Sequence, residues 1–213
     1  MRPCFRLTAV FCMGCVCSAQ ALSVGAIGGG MATNDLTGAG AASVSRRYVA
    51  GPALEIGLPF RFGVEVDALY RREGYQTAFS SFAYSVVSGE RANSWDFPML
   101  LKYYLPFAAI HPFIEGGYVP RVIHGSVVSD AVSFFPTPSP FERLTTSTSW
   151  PVSHGFVAGG GVQFGIGRLR LSPTFRYTHW DNAAIVGSYG DGPSWESNQS
   201  QMDVVLGIAW KVR

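Results

Sequence analysis

Residues 62–72 read FGVEVDALYRR, and the reading of this stretch decides the fold. Successive side chains of a β-strand point to opposite faces. Phe62, Val64, Val66, Ala68 and Tyr70 therefore share one face, and Gly63, Glu65, Asp67, Leu69 and Arg71 share the other. One side is oily and the other carries charge. The same alternation recurs in eight segments, which we read as strands over roughly 23–33, 48–59, 61–73, 94–105, 111–123, 154–165, 168–180 and 202–213. An open sheet of this kind exposes two unpaired edges that invite aggregation, so eight such strands have to close on themselves.

Lengths and connections sharpen the prediction. Most segments run to about 11–13 residues, close to the 9–11 that a tilted strand needs to cross a bilayer and about twice the 5–6 usual in globular sheets. Pro59-Phe60-Arg61, Pro106 to Ile110 and Ile166-Gly167 make three short connections. The four others, 34–47, 74–93, 124–153 and 181–201, are long, and we read them as surface loops. In an up-and-down meander, every second connection falls at the same end. Short periplasmic turns opposite longer extracellular loops is the pattern of outer-membrane barrels. The fold class read from the chain is all-β: an eight-stranded antiparallel up-and-down transmembrane β-barrel.

The first 21 residues carry a different signal. Arg2 and Arg6 precede an apolar run from Leu7 to Cys17, and Ala19-Gln20-Ala21 is a small-residue cleavage site. The run is too short to span about 30 Å of hydrocarbon. Residues 1–21 are thus expected to be a cleaved signal peptide and 22–213 the barrel domain. All four cysteines (Cys4, Cys12, Cys15, Cys17) lie in the leader, which leaves no disulfide framework and no thiolate metal site beyond it. Without Arg2 and Arg6 the chain has as many basic as acidic residues, which argues against nucleic acid as a partner. Charged residues make up only 14% of the sequence, against about 25% in soluble domains.

Which face looks outward decides function. The charged face holds Glu55, Glu65, Asp67, Arg71, Asp96, Lys102, Glu115, Arg121, Arg170, Arg176, Asp203 and Lys211, interleaved with Gly and Ala. An eight-stranded interior is only just wide enough for side chains to fill it, so long charged residues there need small neighbours, whereas a wet exterior imposes no such need. Aromatic residues gather near the strand ends of the oily face: Tyr70, Trp95 and Tyr177 towards the loops, Phe60, Phe62 and Trp210 towards the turns. They resemble two interfacial girdles. Both observations put the oily face against lipid. Opposite charges in a narrow, low-dielectric lumen should pair into a network that plugs the bore.

Three motifs carry a resemblance: WDFPMLLKYYLP at 95–106, HPFIEGGYVP at 111–120 and LRLSPTFRYTHW at 169–180. With the leader and the meander, residues 22–213 resemble the small eight-stranded outer-membrane barrels, the OmpA-OmpX-like and porin-like family. That resemblance implies an integral protein of the bacterial outer membrane. The chain ends Trp210-Lys211-Val212-Arg213, whereas such barrels commonly end in an aromatic residue.

Candidate chemistry is sparse. Tyr177-Thr178-His179-Trp180-Asp181-Asn182 is similar to the His-x-Ser-Asn pattern of lipid A deacylases, but Asp181 stands where the nucleophilic serine would be. His179, Trp180 and Asp181 read instead as part of the interfacial rim. His111, His124 and His154 have no ligand spacing, which argues against a metal centre. Gly28-Gly29-Gly30 and Gly159-Gly160-Gly161 precede no helix, so neither is a phosphate loop. The sequence thus points to a non-enzymatic barrel, read as a monomer without cofactor, which meets outer-membrane lipid through its wall and any surface partner through its loops. A small-solute channel, a lipid A-modifying barrel and a soluble lipocalin-like carrier are the alternatives.

Overall fold

The structure is a computed structural model, and it describes residues 21–106, 110–133, 142–187 and 194–212. All but the last residue of the predicted leader, and the terminal Arg213, lie outside these ranges.

Eight staves form the wall. They are β1 (Leu22–Met31), β2 (Arg46–Gly57), β3 (Phe62–Asp67 and Leu69–Ser80), β4 (Tyr84–Asp96 and Met99–Tyr104), β5 (His111–Ser133), β6 (Ser153–Ile166), β7 (Leu169–Trp180) and β8 (Ser200–Lys211). Each pairs antiparallel with the next in sequence. β8 returns to β1 in a register that sets Ser23 opposite Lys211 and Met31 opposite Asp203, which closes the barrel. Prolines interrupt the wall without opening it. Pro52, Pro98 and Pro120 lack an N–H, but their carbonyls accept from Ala68 (3.0 Å), Asp67 (3.1 Å) and Phe97 (3.0 Å). The ladder therefore runs through the breaks at Ala68 and Phe97-Pro98.

Burial follows the parity of the sequence. Ile114, Phe156 and Val204 on the outer surface are 58%, 71% and 56% exposed, and Leu54, Val66, Leu101, Leu206 and Ile208 join them. Lys102 and Arg121, on the opposite parity, are each 2% exposed. A continuous apolar exterior around a charged interior is the inverse of a water-soluble domain. Among the predicted girdle residues, Phe62 packs on Tyr103 at 5.1 Å between ring centroids, and Tyr70 on Trp95 at 5.4 Å. Trp210 is exposed at the turn end, and Phe60 projects from the turn itself. Tyr177 is half-buried.

The β2–β3 turn, Pro59–Arg61, holds Phe60 and Arg61 at φ of 60° and 65°. Left-handed backbone at both central residues matches the right-handed twist of a hairpin, although such turns usually place Asn or Gly there. Gly167 supplies the same conformation (φ 63°) between β6 and β7.

The loop end departs from the sequence reading. Residues 74–93 do not form an irregular loop. β3 and β4 continue past the aromatic row as one hairpin, from Leu69↔Asp96 to Ser80↔Ser85. β5 likewise runs for 23 residues, and Glu142–Ser149 pairs back along it. Residues 34–47 and 181–201 contribute short strands, of which Leu36–Gly38, Val186–Gly187 and Trp195–Ser197 form a small separate sheet. Tyr75, Ala92, Ile123, Ile185 and Trp195 build a core beneath that sheet, with Leu36 and Trp150 packed against it.

Candidate functional site

All twelve predicted lumen residues lie on the inner parity of their staves. Ten are buried, and Arg170 and Lys211 are half-buried near the turn end. They divide into two tiers with an apolar rung between.

The tier nearer the loops centres on Asp96. Its carboxylate accepts from Arg71 Nε (2.7 Å) on one side and from Arg121 Nε (2.7 Å) and Nη2 (3.0 Å) on the other. Arg71 also reaches Asp203 across the bore at 3.0 Å. Arg121 donates to Gln201 Oε1 at 2.9 Å, lies 3.5 Å from Glu73, and stacks 3.7 Å from the Trp180 ring. Trp180 is therefore a correction to the rim reading. It is 2% exposed, points inward, and gives its indole N–H to Gln201 at 3.1 Å. Glu73, Gln201 and Trp180 escaped the sequence reading. Their one signal was parity, shared with Arg71, Asp203 and Arg176 on the same staves.

The second tier centres on Arg176, whose guanidinium bonds Glu115 (2.6 Å), Asp67 (2.8 Å) and Glu65 (2.6 Å). Lys102 pairs with Glu65, lies 3.3 Å from Glu55, and stands over the Phe113 ring. Glu55 also accepts from Tyr104 Oη (2.8 Å) and Arg170 (3.1 Å). Each carboxylate thus faces a cation from another stave, which offsets the cost of burying both. Leu69, Leu100, Val49 and Val205 occupy the level between the tiers.

A cavity of about 380 Å³ opens at the turn end, lined by Arg61, Tyr104, Gln163, Arg170 and Lys211. Above it the interior narrows to a cavity of about 20 Å³ beside Glu65, Lys102, Thr174 and Arg176. That volume holds about one water molecule. At the loop end a cavity of about 260 Å³ lies among Tyr75, Thr77, Glu90 and Trp195. Outside the barrel segment, burial raises the Glu90 carboxyl above its usual range, and the nearby Glu73 charge adds to the effect.

His179 faces outward at the rim, as expected, and its Nδ1 lies 3.2 Å from Ser200 Oγ. Tyr177 Oη is 3.1 Å from the same hydroxyl. The serine comes from β8, 21 positions away, so the local spacing around His179 gave no sign of it. Asp181 does not orient His179; its carboxylate accepts the backbone N–H of His154 at 3.2 Å. Among the described residues, no group of three or more His, Cys, Asp or Glu is placed to hold a metal ion.

With the closed meander and its inverted polarity in view, solved structures supply a comparison. The outer membrane protein OprG from Pseudomonas aeruginosa superposes with a TM-score of 0.52 at 12% identity, over 92% of this chain and 97% of that one. The fold is that of a small outer-membrane barrel. The Neisserial surface protein NspA aligns over 90% of this chain and 96% of its own at 10% identity, with a TM-score of 0.44. Ail, the attachment invasion locus protein of Yersinia pestis, does so over 90% and 97% at 12% identity, with a TM-score of 0.39. No protein-family model and no curated protein sequence matches the chain. A closed barrel with hydrocarbon-facing walls belongs in the bacterial outer membrane, where every backbone polar group of the spanning segment has to be satisfied within the wall.

Proposed function

We propose that the protein is a non-enzymatic, integral outer-membrane barrel whose bore is shut and whose surface role rests with the β-structure at its loop end. The observation that carries this reading is the Arg176 tier. One guanidinium binds carboxylates from β3 and β5 at 2.6–2.8 Å, and the space left beside it admits about one water. The apolar rung above it adds a dry constriction, which resists ions by dewetting. The core around Tyr75 and Trp195 fills part of the loop end as well.

Such a barrel anchors, and what meets the outside is the extended sheet of β3, β4 and β5 with the strand Glu142–Ser149. Planar-bilayer recording tests the reading. The folded protein is expected to give no stable conductance steps at any polarity, and reproducible steps from purified, heat-modifiable barrel would replace it with a channel.

The Ser200–His179 contact favours a second reading, a rim esterase acting on lipid acyl chains. No carboxylate among the described residues orients His179, and a hydroxyl–imidazole pair alone lacks the third member that such nucleophiles use. Expression of the chain is therefore expected to leave lipid A acylation unchanged. Loss of an acyl chain that disappears in His179→Ala would establish the esterase.

A further inference from the structure

The outer surface of β2–β5 carries three arginines with no counterion among the described residues. Tyr48, Tyr70 and Trp95 form an aromatic row there, with ring centroids 6.3 and 5.4 Å apart. Two residues further towards the loops, on the same face, the registers place Arg46 opposite Arg72, Arg72 opposite Asn93 and Asn93 opposite His124. Arg91 is the next outward residue of β4, diagonal to Arg72. All five side chains are exposed. A two-residue step along a strand rises about 6.6 Å, which sets this row at headgroup height above an interfacial aromatic girdle.

Like charges directly opposite one another destabilise a strand pair. Among the described residues, Arg46, Arg72 and Arg91 form no ion pair. Arg47, Arg61 and Arg168 are also exposed without an ion pair, but the registers set none of them opposite another arginine. Inside the barrel Arg71, Arg121, Arg170 and Arg176 all pair, and on the outer sheet Arg143 holds Asp130 at 2.7 Å. Glu73 and Glu90, the carboxylates of this part of β3 and β4, point to the inner side. An anion between them relieves the repulsion of a cross-strand arginine pair with a third arginine on its diagonal. At this height the anion available to all three is the phosphomonoester of a lipid headgroup that carries no cation of its own (unlike the choline-balanced phosphate of phosphatidylcholine), and the guanidinium fork matches phosphate oxygens.

We propose that Arg46, Arg72 and Arg91, with Asn93 and His124 beside them, bind the phosphate of a phosphorylated glycolipid in the outer leaflet, while Tyr48, Tyr70 and Trp95 pack against the same lipid below its headgroup. The proposal rests on the barrel being membrane-inserted.

The test uses the folded full-length barrel in phosphatidylcholine vesicles, alone or doped with diphosphorylated lipid A or with its dephosphorylated form. The readout is the temperature at which the unheated electrophoretic form is lost. Diphosphorylated lipid A is expected to raise that temperature for the wild type, and the dephosphorylated lipid to leave it nearly unchanged. In Arg72→Ser/Arg91→Ser the phosphate-dependent shift should fall by at least half. In phosphatidylcholine alone the double variant should unfold no earlier than wild type, because a repulsion has gone. An equal shift in the double variant, or from the dephosphorylated lipid, would overturn the site. Arg91→Ser alone, at the edge of the row, serves if the double variant does not assemble. Wild-type protein that never enters the vesicles would refute the membrane reading instead, which is a separate result.

Discussion

Arg71 of β3 grips Asp203 of β8 across the bore at 3.0 Å, joining residues 132 positions apart on staves that are not neighbours. The same guanidinium holds Asp96 at 2.7 Å. This clasp ties the two halves of the wall together. Asp203→Ala leaves Arg71 buried with half its partners, and breaking a buried pair from one side costs about 3–5 kcal/mol. Arg71→Met/Asp203→Leu removes both charges while Asp96 keeps Arg121. Urea unfolding in vesicles is expected to place the double variant well above the single one. Equal destabilisation would show that the pair is not coupled.

The outward facing of Val66 has its own test. Val66 is 43% exposed on the wall of β3, flanked by Leu54 and Met99 on neighbouring staves. Arginine at a mid-bilayer, lipid-facing site costs about 2–4 kcal/mol. Val66→Arg should therefore lower the folded fraction in vesicles, while Val66→Leu should leave it intact. Normal assembly of Val66→Arg would place this face away from lipid.

Close approach of the staves makes a sharper prediction. A Cβ on Gly117 would sit 1.9 Å from the Met99 carbonyl oxygen, whereas one on Gly28 would meet nothing within 4 Å. Gly117→Ala should disrupt the β4–β5 ladder and abolish the folded electrophoretic form. Gly28→Ala should fold as wild type does. The contrast also separates strand contact from any general intolerance of β-carbon in glycine-rich staves.

Glu90 makes stability of the outer hairpin depend on pH. Burial, with help from the Glu73 charge, raises its folded pKa above the unfolded value. The folded hairpin therefore holds the proton more tightly than the unfolded one. Its stability is lowest when Glu90 is ionised and increases as pH falls through the folded pKa towards the unfolded one. Glu90→Gln should raise amide-exchange protection of residues 84–96 at neutral pH and lose that advantage in mild acid. An advantage independent of pH would assign the effect to something other than this carboxyl.

The spanning part of the barrel was legible because one solvent is hydrocarbon and the other side is a crowded tube. Phe62 to Arg71 could alternate only one way under those conditions, and the twelve charges could only be inside. Above the lipid that contrast vanishes. Residues such as Gln76, Thr77, Ser85 and Ser88 meet water or protein on either side, so β3 and β4 continue as strands with no apolar period to announce them. Trp180 misled for another reason. A tryptophan at a strand end suits a girdle, and only its shared parity with Arg176 told otherwise. Ser200 reaches His179 through the β7–β8 connection, and no local spacing reports a contact made by register.

The length of β5 has a mechanical consequence. Its 23 residues measure about 76 Å at 3.3 Å each, and a tilted crossing uses roughly 11 of them. About half of the strand stands clear of the bilayer, braced by β4 on one edge and by Glu142–Ser149 on the other. A molecule arriving at the cell surface meets a stiff blade whose shape is already set, so little ordering entropy is lost when something docks along it.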